Sequence, residues 1–143
     1  HYILRMLHSH GIDYDLLGVP RKDSKPVSDG RSAWDLFGKN YHLFWGTPTR
    51  IWIDFSLKNL FGITIPLSAE TSGQIYNLIS NNLESQDFLP LSLLNRMNVE
   101  VISTTEFALD TLKYHDKMRA KGLIGRIRTT YRPDDVTDPE YPG

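Results

Sequence analysis

Arg132 stands where a strand is expected to end. In the run Arg126-Ile127-Arg128-Thr129-Thr130-Tyr131, Ile127, Thr129 and Tyr131 alternate with Arg128 and Thr130. This is the period-two pattern of a half-buried strand. Pro133 removes a ladder donor and closes the strand at Arg132, just before Asp134 and Asp135. Enzymes of the α/β class place substrate-binding groups at the carboxyl ends of strands. A guanidinium presents a planar fork that fits a carboxylate better than an ammonium does. Two readings stay open on these residues alone. Arg132 either clamps an anionic substrate or makes a salt bridge to Asp134 or Asp135 that only fixes the turn. Thr104, Thr105 and Glu106, at the mouth of the preceding strand, pose the same choice between a site and a helix cap.

His8 and His10 invite a metal reading, because two histidines one residue apart on a strand point to the same face. Here the pair ends a segment with helical spacing. Residues i and i+2 of a helix point about 200° apart, so the rings diverge, and they read as helix-terminal histidines. Between Lys113 and Arg132, Lys113, Lys117, Arg119, Lys121, Arg126, Arg128 and Arg132 face one acid, Asp116. Aromatic residues are not interleaved as single-strand binding requires, so this stretch reads as a solvated face.

These groups need a scaffold, and 143 residues with 40% hydrophobic content can bury a core of about one domain. The 16 basic and 17 acidic residues leave a net charge of −1, which supplies no field for nucleic acid or membrane partners. Cysteine is absent, which excludes disulfides, thiolate zinc sites and cysteine nucleophiles and fits a cytoplasmic setting. The N-terminal His1-Tyr2-Ile3-Leu4-Arg5 has neither an initiator methionine nor a signal-peptide design.

Apolar spacing predicts a helix through Tyr2, Ile3, Met6 and Leu7, stopped at Gly11. Residues 18–30 read as a charged loop. Trp34, Phe37, Tyr41 and Phe44 step by three and four, one aromatic face of a helix over 31–44. Thr47-Pro48 caps a further helix over 48–60, apolar enough to be expected buried on most sides. Ser68 is expected to cap a helix over 69–83, and a short helix follows Pro90. At Val99 the period changes to two. A strand over 99–103, a helix capped by Thr104-Thr105 and a strand over 126–131 make a parallel crossover unit of about the usual size. Two parallel strands need covered faces and edges. The sequence is therefore expected to be an internal piece of a larger βα protein.

An ordered series of blocks resembles the uronate (glucuronate) isomerases of the amidohydrolase superfamily. It runs from His1-Tyr2 and Leu4-Arg5-Met6-Leu7 through Asn40-Tyr41-His42-Leu43-Phe44 and Gly46-Thr47-Pro48-Thr49-Arg50-Ile51-Trp52 to Leu60-Phe61-Gly62-Ile63. It continues in Leu93-Leu94-Asn95-Arg96-Met97-Asn98-Val99-Glu100-Val101, Thr104-Thr105-Glu106, Leu109-Asp110 and His115, and closes with Tyr131-Arg132-Pro133-Asp134. The resemblance implies a mainly α chain with one β-α-β unit. Residues 1–97 would be a helical insertion subdomain and 98–143 a strand-helix-strand portion of a (β/α)8 TIM barrel.

The reaction implied is aldose-ketose interconversion of a uronate, such as D-glucuronate to D-fructuronate. Arg132 would clamp the substrate carboxylate, and His1 and Tyr2 would line the substrate pocket. The family's metal-binding His-x-His falls upstream of His1 and its acidic ligand downstream of Gly143. A divalent metal such as zinc would therefore belong to the intact enzyme, with no cofactor or metal ligand in this stretch and no catalytic base identified. A homo-oligomer is a further expectation. Trp45 replaces a common arginine of the family pattern, and Phe107 and Ala108 replace a polar residue and a proline after Thr-Thr-Glu. Two rivals remain: another amidohydrolase-like enzyme acting on an acid sugar, and a helical interaction module on the same scaffold without catalysis.

Overall fold

The structure, a computed structural model, describes residues 2–20, 22, 29–107, 109–123 and 126–137, with the side chains of Asp135 and Val136 excepted. The order is α1 (Tyr2–Ser9), α2 (Gly30–Lys39), α3 (Pro48–Asn59), α4 (Ser72–Leu83), α5 (Pro90–Arg96), β1 (Ile102–Glu106), α6 (Lys113–Ala120), β2 (Ile127–Tyr131) and α7 (Asp134–Thr137). The chain divides into two units between Phe88 and Leu89. The short helix α5 thus lies in the unit that carries the strands. Most of the loop expected over 18–30 lies outside the described residues.

The first unit is helical. Its core gathers Leu7, Leu17, Phe37, Tyr41, Phe44, Leu57, Ile63, Leu67 and Ile75. The expected helix over 31–44 is shorter. Asp29 caps α2 by accepting from the Ser32 N–H at 2.7 Å. Asn40 then stops it, its side-chain amide donating to the Leu36 carbonyl at 2.8 Å. A tighter 3-10 turn, Tyr41–Phe44, follows. The aromatic series survives that break. Phe37 meets Tyr41 and Phe44 edge-on, with ring centroids 5.2 and 5.3 Å apart.

Thr47 caps α3 as its sequence predicts, accepting from Arg50 N at 3.3 Å with Pro48 in the first turn. The expectation that this helix is buried on most sides is overturned. Within the first unit it buries Leu57 and half-buries Ile53, while Ile51, Trp52 and Phe55 are exposed, Trp52 at 77%. One stripe of a helix can face a core while its opposite stripe stays uncovered, whatever its polarity.

The next helix begins at Ser72 rather than at residue 69, and Ser68 does not cap it. Ser68, Glu70 and Thr71 instead form a turn, in which Ser68 N donates to Thr71 Oγ1 (2.9 Å) and Thr71 Oγ1 to the Pro66 carbonyl (2.6 Å). Ser72 is buried and donates to Asp35 Oδ1 at 2.7 Å, joining α4 to α2.

In the second unit β1 and β2 pair in parallel, from Ile102↔Ile127 to Glu106↔Tyr131, with α6 between them in sequence. The strand-helix-strand expectation holds, but the first strand is displaced from 99–103 to 102–106. Val99 closes α5 instead, donating to the Leu94 carbonyl at 2.9 Å while its own carbonyl accepts from Arg126 Nη2 at 2.6 Å. Thr104, Thr105 and Glu106 are therefore strand residues and not a helix cap. The following helix starts only at Lys113, after Leu112 in the left-handed region at φ 53°.

Candidate functional site

The parallel register fixes what lies at the carboxyl end of the sheet. Arg132 continues the ladder beyond β2, its N–H donating to the Glu106 carbonyl at 2.9 Å. Its Nε donates to Asp134, so the turn-fixing contact expected as one of two readings is present. That contact occupies one edge of the guanidinium. Among the described residues the terminal Nη atoms have no hydrogen-bond partner, and the side chain is 56% exposed. A guanidinium has five N–H donors, so an edge held by a neighbouring carboxylate leaves the end-on fork for a second anion. The two readings of Arg132 are compatible in this geometry.

Next to it lies a polar cluster that spacing alone did not single out. Thr104 and Glu106 share one face of β1 by the period of a strand, and both reach His115 on α6. His115 Nε2 lies 2.8 Å from Thr104 Oγ1 and 3.3 Å from Glu106 Oε1. The Thr104 hydroxyl donates its one proton to the Arg128 carbonyl at 3.2 Å. The imidazole thus meets both side chains of β1, hydrogen-bonded to Thr104 and in ion-pair distance of Glu106. The His115 and Glu106 side chains are 12% and 21% exposed, withdrawn from water in a unit whose strand residues are mostly exposed.

In the first unit, Tyr2 opens α1 and lines an open groove of about 550 Å³ with Arg5, Met6, Phe44, Thr47 and Pro48. Tyr2, Arg5 and Met6 share one helix face through steps of three and four. His1, the other residue expected to line a substrate pocket, lies outside the described residues.

The remaining candidates have structural partners. His8 Nδ1 lies 3.0 Å from the Ile12 carbonyl and its ring stacks on Tyr14, while His10 Nδ1 lies 2.9 Å from the Met6 carbonyl. His8 is thus engaged with the segment that follows α1, and His10 with the last turn of α1. Among the described residues no three His, Asp or Glu side chains cluster as a metal ligand set. Of the basic stretch, Arg119 pairs with Asp116 and Arg126 holds Asn95 Oδ1 at 2.7 Å.

A family model described as glucuronate isomerase matches residues 1–141. A uronate isomerase of Mesorhizobium japonicum is 49% identical over 144 residues, covering 100% of this chain and 31% of the relative. One from Xanthomonas euvesicatoria is 44% identical over 142 residues, covering 99% and 30%. The crystal structure of glucuronate isomerase from Caulobacter crescentus superposes with a TM-score of 0.87 at 37% identity, over 96% of this chain and 29% of that one. Uronate isomerase from Thermotoga maritima gives a TM-score of 0.84 at 26% identity, over 100% and 30%. The chain spans about 30% of the length of the relatives it matches.

Proposed function

The chain belongs to the glucuronate isomerase family, and from that premise we propose that it supplies substrate-binding groups to an aldose-ketose isomerase acting on hexuronates. Arg132 carries the reading: a guanidinium at the carboxyl end of a parallel strand, one edge held by Asp134 and the end-on fork unengaged by described residues. The β1-α6-β2 unit is read as part of a (β/α)8 barrel of the amidohydrolase type, in which such strand ends face the site.

Isomerisation removes a proton from C2 of the aldose and returns one to C1, while the carbonyl moves from C1 to C2 through an enediol-like intermediate. Nothing is gained or lost overall. The site must hold the distant carboxylate still while the proton moves. The Nη1/Nη2 fork of Arg132 suits a carboxylate in two parallel hydrogen bonds. Tyr2 offers a phenolic hydroxyl that can donate to a sugar oxygen. A divalent metal such as zinc in the intact enzyme is part of the same proposal, and the described residues of this chain do not form a ligand set for it. A cytoplasmic setting is part of the same proposal, and no helix among the described residues is long and apolar enough to cross a membrane.

The test is to incubate the full-length, folded protein with D-glucuronate in D2O. Ketose formation with deuterium entering at its C1, and at C2 of the aldose re-formed by the reverse reaction, is the expected result. A folded protein that leaves glucuronate and other hexuronates unchanged overturns the reading.

A further inference from the structure

Glu106 is bound at both ends of its residue. Its carboxylate lies 3.3 Å from His115 Nε2, and its carbonyl accepts from the Arg132 N–H. Thr104 repeats the arrangement two residues earlier: its hydroxyl is hydrogen-bonded to His115 Nε2 at 2.8 Å and lies 3.2 Å from the Arg128 carbonyl. One imidazole nitrogen thus meets two β1 residues, and each of them reaches across to β2 or to Arg132 just beyond it. Both routes lead to the strand segment that ends in Arg132.

We propose that His115 is a positioning residue for Arg132, fixing the strand end so that the guanidinium fork is presented to the substrate carboxylate. This rests on the reading of Arg132 as the carboxylate clamp. Among the described residues the fully buried apolar side chains all belong to the first unit, and beside the sheet only half-buried Met118, Leu123 and Ile127 accompany His115. A withdrawn polar cluster adds little net stability for the desolvation it costs, but its bonds are directional. A shift of the strand end by a fraction of an ångström is enough to misplace a bidentate contact.

The experiment uses the full-length protein and two substrates, a hexuronate and the same hexose without the carboxylate. His115→Phe keeps a ring but removes the donor. It is expected to raise KM for the uronate by roughly threefold to tenfold, with a smaller change in kcat, and to leave KM for the uncharged sugar in place. His115→Gln, which restores an N–H donor, should recover part of the loss. In an Arg132→Ala background, His115→Phe should add nothing further to the uronate KM.

If the two effects add instead, or if both substrates lose equally, His115 does not act through Arg132 and the proposal is overturned. If Arg132→Ala itself leaves the uronate KM unchanged, the clamp is what has failed. Should His115→Phe not fold, Thr104→Val carries the same comparison, since it removes the Thr104 oxygen that links the imidazole to β2. It is expected to raise the uronate KM, and no change would overturn the proposal.

Discussion

Arg132 and Asp134 grip each other across Pro133, Nε to carboxylate, at the point where β2 leaves the sheet. The contact sets which edge of the guanidinium faces outward. A lysine at this position could keep the charge but not two parallel donors in one plane.

Arg132→Lys is therefore expected to damage uronate turnover nearly as much as Arg132→Ala. A charge-assisted hydrogen bond is worth about 1.5–3 kcal/mol, so the scale is roughly a ten- to hundredfold loss in kcat/KM. The control is the same hexose without its carboxylate, which the substitution should barely affect. Equal losses on both sugars, or unchanged kinetics with only a lower Tm, would leave the arginine as a turn-fixing residue.

The second prediction concerns α2 and α4. A Cβ built on Gly38 would lie 2.7 Å from Ser72 Cβ and 3.3 Å from the Ser68 carbonyl oxygen. Two helices can approach this closely only because residue 38 lacks a side chain. Gly38→Ala removes a helix-weakening glycine, which in isolation is stabilising. Here the contact dominates, and a loss of about 1–3 kcal/mol is expected in urea unfolding. A gain in stability would show that α4 can slide away without penalty.

Much of this architecture was legible in the sequence where a local rule was sufficient. Thr47-Pro48 states a helix start whatever surrounds it, and the steps between Trp34 and Phe44 mark a core face even though Asn40 interrupts the helix. The errors lie where two local rules competed. Val99-Glu100-Val101 reads as a strand by composition, but Arg126 takes the Val99 carbonyl and pairing begins at Ile102. Thr104-Thr105 reads as a helix cap, and only the partner strand makes it part of β1. At the site, Arg132 announced itself through the strand and proline beside it. His115 did not, because a histidine 11 residues from Thr104 acquires meaning only once the crossover folds α6 onto β1.

The third prediction follows from the cap of α2. Asp29 accepts from the Ser32 N–H, and this bond, with a smaller one from the Ser32 side chain, holds its carboxyl below the ordinary carboxylate range. A depressed folded-state pKa contributes stability above the unfolded value, lost as pH falls through the folded one. Asp29→Asn keeps an accepting oxygen but does not titrate. The Tm difference between the two proteins should therefore favour aspartate at neutral pH and shrink once the pH drops below about 4. A difference that stays constant down to the lowest pH would mean that the carboxylate is not titrating against folding.

The last prediction separates an absent partner from an absent group. The buried Tyr41 hydroxyl donates to Asp54 Oδ1 at 2.9 Å, and Arg50 Nε donates to Asp54 Oδ2 at 2.8 Å while its guanidinium lies 4.0 Å above the Tyr41 ring. Burial first, then the Asp54 hydrogen bond, pushes the Tyr41 phenol well above its usual range, so it stays protonated and must donate. Asp54→Ala strands that donor, leaving it only the long 3.4 Å approach to the Arg50 carbonyl. Tyr41→Phe removes the donor altogether, and the partly exposed Asp54 keeps Arg50 and water. An unsatisfied buried polar group costs about 1–3 kcal/mol, whereas losing both halves of a hydrogen bond is much nearer neutral. Asp54→Ala should thus be the more destabilising change by about 1 kcal/mol or more in denaturant melts, on the same scale. In the double variant, Asp54→Ala should cost less than it does alone, since only its contact with Arg50 is then left to lose. Two equal and additive losses would mean that the hydroxyl finds another acceptor when Asp54 is gone.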